Sequence, residues 1–192
     1  MGLLGRFFGG TSDNGTSRAA RAWRQAWEKA VAAPDRAALA HLEATLRHEP
    51  PLSADLEVEE EMLDALRQLV DLDLAGADAP LPVLETSHRV VGPDRCHFSA
   101  PVSMPDDPGQ PTGRLLLTSS RAVFAGGSRT PSLAWHAARD VVRTGRDLLF
   151  IRVGVDDGYH FRCNSFADAV CGAAIARHLM RGARRSTPDD RS

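Results

Sequence analysis

The hydrophobic pattern of this chain changes character near residue 80. Before that point apolar residues recur every three or four positions, the spacing of one face of an α-helix. Trp23, Trp27 and Val31 lie four apart and predict a helix over residues 18–32. Pro34-Asp35 interrupts it, and Leu39, Leu42 and Leu46 carry a second helix over residues 36–48. Pro50-Pro51 ends that one, because proline cannot continue the hydrogen-bond ladder. A third helix is predicted over residues 54–75. Ser53 is its N-cap, and Asp55, Glu57, Glu59, Glu60 and Glu61 crowd the first turns, where the helix dipole favours anions. Met62, Leu63, Leu66, Leu69, Val70 and Leu74 form its apolar face, with Gly76 as C-cap.

Beyond Pro80 and Pro82 the period falls to two. Residues 83–91 are a first strand candidate. Cys96, Phe98, Ala100, Val102 and Met104 then alternate with His97, Ser99, Pro101 and Ser103, and Pro101 marks an edge or a bulge. Short strands follow over residues 114–118, 121–125, 132–135, 141–144, 148–153 and 159–163. Turn chemistry separates most of them: Gly126-Gly127, Gly145-Arg146-Asp147 and Asp156-Asp157-Gly158. Asn164 or Ser165 caps a final helix through Met180, with Phe166, Val170, Ala173 and one of Ile175 or Leu179 facing the core and Gly182 stopping it. The pattern predicts an α+β fold: an antiparallel β-barrel whose open end is closed by a C-terminal helix, preceded by a three-helix segment. The divisions are residues 1–17 (flexible N-terminus), 18–76 (helical), 83–181 (barrel and helix) and 182–192 (disordered tail).

One segment carries a resemblance. Residues 113–127 contain Gly113, Leu115, Leu117, Thr118, Arg121 and Phe124 in the order Gly-x-Leu-x-Leu-Thr-x-x-Arg-Leu-x-Phe, with Ala122 in place of the last leucine. This resembles the signature of the GRAM and bacterial pleckstrin-homology-like (PH-like) families. Downstream, Trp135 and Val141-Val142 sit where those families have a strand, a tight helical turn and another strand. The resemblance covers residues 83–181. It implies a PH-like barrel that binds membrane lipids, peptides or other proteins, with lipid-binding cations near the first two strands. The residues in that place are Arg89, Arg95, His97 and Arg114, a sparse cluster without lysine, whereas a phosphoinositide needs several converging cations. The residues themselves point to structural work: Leu115, Leu117 and Val123 on one face, Thr118 to Arg121 as a tight hairpin, and Arg121 on a carboxylate or on backbone carbonyls.

Composition narrows the function. Apolar residues make up 43% and charged residues 25%, values of a soluble globular protein. Net charge is −2, which gives no global attraction to nucleic acid. The charge is split, −6 over residues 1–80 and +4 over residues 81–192. Each part then has its own solvated surface, or the acidic helices shield the basic barrel. Arginine and alanine dominate and Lys29 is the sole lysine, which points to a bacterial source. Cys96, Cys163 and Cys171 are odd in number and lie at apolar strand or helix positions, as buried thiols in a reducing cytoplasm do. Cys96, His97, His160 and Cys163 are the conceivable metal ligands, but no ligand spacing supports a metal, and no cofactor is implied.

No stretch reaches the length of a membrane-spanning helix. Gly2 is not followed by the Ser or Thr of a myristoylation signal, since Arg6 stands there. Leu3, Leu4, Phe7 and Phe8 form one apolar turn for a weak membrane or partner contact. His88, His97, His136, His160 and His178 are scattered, with no nucleophile elbow, phosphate loop or paired-carboxylate motif to make an enzyme. Arg177, Arg181, Arg184 and Arg185 are the one basic run; without interleaved aromatics they read as a solvated helix end, not a nucleic-acid site. The expectation is a non-catalytic, cytoplasmic binding module that recognises a protein partner. A phospholipid-binding module is the first alternative and an enzyme the second. The oligomeric state is left open.

Overall fold

The computed structural model describes residues 18–48, 56–74, 79–86, 88–126, 130–155 and 158–186. The chain divides into two compact units, residues 1–72 and 73–192. In the first, α1 (Arg18–Ala32), α2 (Arg36–His48) and α3 (Glu57–Asp71) pack on one another. The four-residue spacing of α1 buries Trp23 and Trp27 with Ala20 and Ala30. Each indole satisfies its N–H on a neighbouring helix. Trp23 Nε1 donates to Leu42 O (3.2 Å) and Trp27 Nε1 to Met62 O (2.6 Å). Glu59 is fully buried, and its Oε1 accepts from Nε (3.0 Å) and Nη2 (2.8 Å) of Arg24. Removing one partner of a buried pair leaves the other charge uncompensated, at about 3–5 kcal/mol. Asp35 caps α2 by accepting from Ala38 N. The third helix is shorter than its periodicity suggests. Asp73 takes a left-handed backbone (φ 42°) two residues past its end, so the ladder stops before Leu74. Ser53 and Gly76 lie outside the described residues.

The second unit is a seven-stranded antiparallel sheet followed by a helix. Its strands are β1 (Cys96–Ser103), β2 (Thr112–Thr118), β3 (Arg121–Ala125), β4 (Ser132–Ala134), β5 (Ala138–Thr144), β6 (Asp147–Arg152) and β7 (Gly158–Cys163); α4 (Phe166–Ser186) comes last. A 3-10 turn, Trp135–Ala137, joins β4 to β5. The order across the sheet is β4-β3-β2-β1-β7-β6-β5, so β4 and β5 are its edges and the sheet is not closed. Pairing of β1 with β7 is confined to Val102 and Ser103, beginning one residue after Pro101. Over residues 96–101, β1 is therefore laddered mainly to β2, and the proline sits where little is lost by its missing N–H.

Residues directly opposite in an antiparallel pair share a face. Leu115 opposes Phe124 and Ala100, and Leu117 opposes Ala122 and Phe98, which defines the inner face. Leu116 opposes Val123, so Val123 lies on the outer face and not with Leu115 and Leu117. The two-residue connection Ser119-Ser120 sets that register. Phe161 ties three strands together, 5.9 Å from Phe124 and 5.6 Å from Phe150 between ring centroids. The helix α4 covers the inner face. A Cβ on Gly172 would lie 3.1–3.3 Å from the Phe98 ring and Leu148 Cδ1, so glycine permits this close approach. Ser165 Oγ caps α4 by accepting from Asp168 N (3.0 Å). Val170, Ala173 and Ile175 are buried, but Phe166 is half-buried under the Arg146 guanidinium, 4.8 Å from its ring centre. Gly182 does not end the helix. Arg184, beyond it, bonds to β5, and that outweighs the roughly 1 kcal/mol cost of a helical glycine.

The described residues of 83–91 form no strand. Leu84 makes an isolated bridge to Cys96, and residues 89–93 form turns. A register shift between Cys96 and Phe98 puts Cys96 opposite Thr118, on the outer face. There Val91, Cys96, Leu116 and Val123 make a second small core, with Val90 and Ala125 packed against it. The turn segment thus covers the outer face without joining the sheet. Its apolar residues produced the strand-like pattern in the sequence.

Candidate functional site

The Gly113–Gly126 stretch shows what its signature residues do. A Cβ on Gly113 would fall 2.5 Å from Ala125 O and 2.7 Å from Gly126 Cα, so two backbones meet there at a distance only glycine allows. Thr118 Oγ1 accepts from Ser120 N (3.3 Å) and Arg121 N (3.1 Å), which pins the hairpin turn. Asp94, in the preceding turn, receives the Ser120 hydroxyl, lies 3.1 Å from Thr118 Oγ1 and 3.8 Å from Arg121 Nε. Arg121 Nη2 donates to Val90 O (3.3 Å). The indole of Trp135 donates to Thr118 O (2.9 Å). Carboxylate, hydroxyls and guanidinium all serve to hold the turn segment against the hairpin.

The four cations near the first strands do not converge. Arg89 and Arg95 are exposed in and after the turn before β1. The ring of His97 is tied through Nδ1 to Pro82 O (2.9 Å). Arg114 bonds Ser99 Oγ (3.0 Å) and opposes Pro101, while Arg95 pairs its backbone with Ser119 beyond the other end of β2. Arg114 and Thr118 lie four strand positions apart, about 13 Å at the usual rise of ~3.3 Å. Leu3, Leu4, Phe7 and Phe8 lie outside the described residues.

The cysteines are free and buried, and burial pushes the thiols of Cys163 and Cys171 up to about 12, with Asp168 adding to the shift. Neither is a thiolate nucleophile at neutral pH. Cys96 is also raised by burial, and its Sγ contacts Phe98 O (3.3 Å). Among the described residues no group of three or more His, Cys, Asp and Glu is placed to hold a metal ion. No described helix is long and apolar enough to cross a membrane.

Two charged arrangements stand out. His160, buried on the outer face of β7, has Nδ1 3.0 Å from Asp106 Oδ2 and Nε2 3.3 Å from Asp147 Oδ1. Asp147 also accepts from Arg162 Nε (2.9 Å) and Nη2 (3.2 Å). Burial works against charge on His160, but the carboxylates of Asp147 and Asp106 outweigh it and raise its pKa. Burial likewise opposes charge on Asp147, yet hydrogen bonds from His160 and Arg162 take it down to about 2. The cluster ties the loop between β1 and β2, which holds Asp106, to β6 and β7.

The second lies on β5 and α4. Arg177, Arg181 and Arg184 share one helical face. Arg177 Nε donates to Val141 O (2.9 Å), and Arg184 Nη2 donates to Arg139 O (2.7 Å) and lies 3.4 Å from Ala138 O. Guanidinium groups therefore satisfy carbonyls of an edge strand, which also protects that edge from pairing with another chain. The helix end is engaged there, unlike the free solvated run its sequence suggests. Arg139 and Arg143 add two more cations from β5, and Asp140 is the one acidic residue of that strand. Burial lowers the pKa of Arg177; Asp140 opposes that, and Arg143 and Arg181 add to it, which places these charges close together. Arg139 and Arg143 were not singled out in the sequence, although the Ala-Arg-Asp-Val-Val-Arg order places both beside the buried Ala138 and Val141. In the helical unit, Arg67 in the cleft between α2 and α3 pairs with Glu43 and Asp64.

No protein-family model matches the chain, and no curated protein matches it closely enough to count as a relative.

Proposed function

We propose that this chain is a non-catalytic binding module on a PH-like scaffold that recognises a protein partner. The strand order ending in one covering helix, and the 3-10 turn between β4 and β5, support the scaffold. The observation that carries the functional reading is the use of the signature's polar residues. Thr118, Ser120 and Arg121 are engaged with Asp94 and Val90, and Arg114 with Ser99. The cations expected to grip a lipid phosphate are dispersed or occupied, so recognition falls to exposed surface, as in protein docking.

The test is affinity capture with the full chain from cells that express it natively, beside co-sedimentation with phosphatidylserine and phosphoinositide vesicles. A protein recovered in fixed ratio, with vesicle binding weak and removed by salt, is the expected result. Tight headgroup-selective vesicle binding lost on changing Arg89 and Arg95 would replace this reading with a lipid-binding one.

A further inference from the structure

We propose that β5 and the C-terminal half of α4 form the docking surface for an acidic polypeptide segment led by an aliphatic residue. This rests on the protein-binding reading above. Arg139, Arg143, Arg177, Arg181 and Arg184 gather on this surface, with Asp140 the one carboxylate that these stretches of β5 and α4 contribute. Arg139 and Arg181 are exposed, and their side chains make no hydrogen bond or ion pair among the described residues. Capping the edge carbonyls accounts for Arg177 and Arg184 and leaves those two unexplained. Holding like charges together costs free energy that an anionic partner offsets.

The geometry selects the kind of anion. Arg177 and Arg184 are fixed by β5 carbonyls, so their forks are held in place before any ligand arrives. A guanidinium has five donors in a planar fork matched to carboxylate, and only one nitrogen of each faces β5. The two arginines lie seven positions apart on the helix, about 10 Å at ~1.5 Å per residue, which three extended peptide residues span. Beside the start of β5, Val153 N donates to Ala137 O, and the turn it begins leaves Val153 58% and Val155 44% exposed. An apolar contact at one end of a cationic row fits a segment with an aliphatic anchor followed by Asp and Glu. The elements that carry the row contribute no exposed aromatic side chain for stacking bases.

Fluorescence anisotropy on the full chain tests this with a labelled Leu-Val-(Glu-Asp)3 peptide as probe. A single-stranded DNA oligonucleotide and phosphatidylserine vesicles are the comparison arms. The expected result is saturable peptide binding that weakens with salt, falls about tenfold or more in the double variant Arg139→Glu, Arg181→Glu, and falls on replacing the probe's leading Leu-Val with Ser-Ser. The variant should keep the wild-type melting temperature, since neither side chain bonds within the described fold. No measurable peptide binding, binding unchanged by the charge reversal, or equal or tighter binding of DNA or vesicles overturns the assignment. A charge-reversed chain that still captures the same cellular protein as wild type overturns this surface alone, whereas failure of wild type to capture any protein removes the protein-binding reading itself.

Discussion

The β2–β3 hairpin and the β5–α4 surface both set arginine against backbone carbonyls. In the hairpin Arg121 reaches Val90 O, and Asp94 stands close enough to match its charge while holding Ser120. Around β5, Arg177 and Arg184 reach carbonyls in the same way, but five arginines face one aspartate. A guanidinium with its own carboxylate completes a fold. On the docking proposal, a surplus of arginine over carboxylate is met by an acidic partner. The difference separates arginines that hold the molecule together from arginines available to a partner, and a cationic signature motif alone does not make that separation.

The largest expected effect lies beneath the hairpin. Phe124→Ala should cost about 3–5 kcal/mol in chemical denaturation, because Phe124 is buried against Phe161. Phe166→Ala, at a half-buried ring, should cost about 1 kcal/mol. Equal losses would mean that α4 is seated differently. Next, Asp94→Ala should cost about 2 kcal/mol, since it removes the carboxylate that accepts from the Ser120 hydroxyl and faces the Arg121 guanidinium. A loss under about 0.5 kcal/mol would break the claim that the hairpin's charges are structural.

The His160 cluster gives the comparison a pH axis, because there too each charge has its partner. The folded pKa of His160 lies above its ordinary 6.5, so its stabilising contribution is full below that value and is lost as pH rises through the raised one. Asp147, held at about 2 against an ordinary 3.8, contributes above 3.8 and loses its contribution as pH falls toward 2. Both act together between about 4 and 6.5. His160→Gln should lower stability by about 1 kcal/mol in that window and flatten the alkaline side of the profile. An unchanged profile would place the proton elsewhere. The smallest effect is expected at Arg181→Ala, within about 0.5 kcal/mol, because nothing in the described fold depends on that side chain.

Much of this was legible in the sequence, and the failures have physical causes. The helices at Arg18–Ala32 and Arg36–His48 follow directly from leucine and tryptophan spacing closed by Pro34 and Pro50. Strand β1 follows from two-residue alternation, and β3 from the short turns that flank it. Residues 83–91 misled because apolar residues covering a second, outer core look like those of a strand; only the register shift that turns Cys96 outward reveals the difference. Gly182 misled because a local propensity was overridden by Arg184 bonds to a strand 45 residues away. The site was the least legible part. Arg139 and Arg143 precede Arg177 by more than thirty residues, and only the fold of α4 along β5 unites them.

The central claim is that a partner meets β5 and α4 and not the start of the sheet. A photo-crosslinking amino acid placed in turn at Arg139, Arg181, Arg95 and Arg114, in cells that express the chain natively, tests this most directly. Irradiation should give a discrete protein adduct from positions 139 and 181 and none from 95 and 114. Adducts from 95 and 114 alone, or lipid in place of protein at every position, would contradict it.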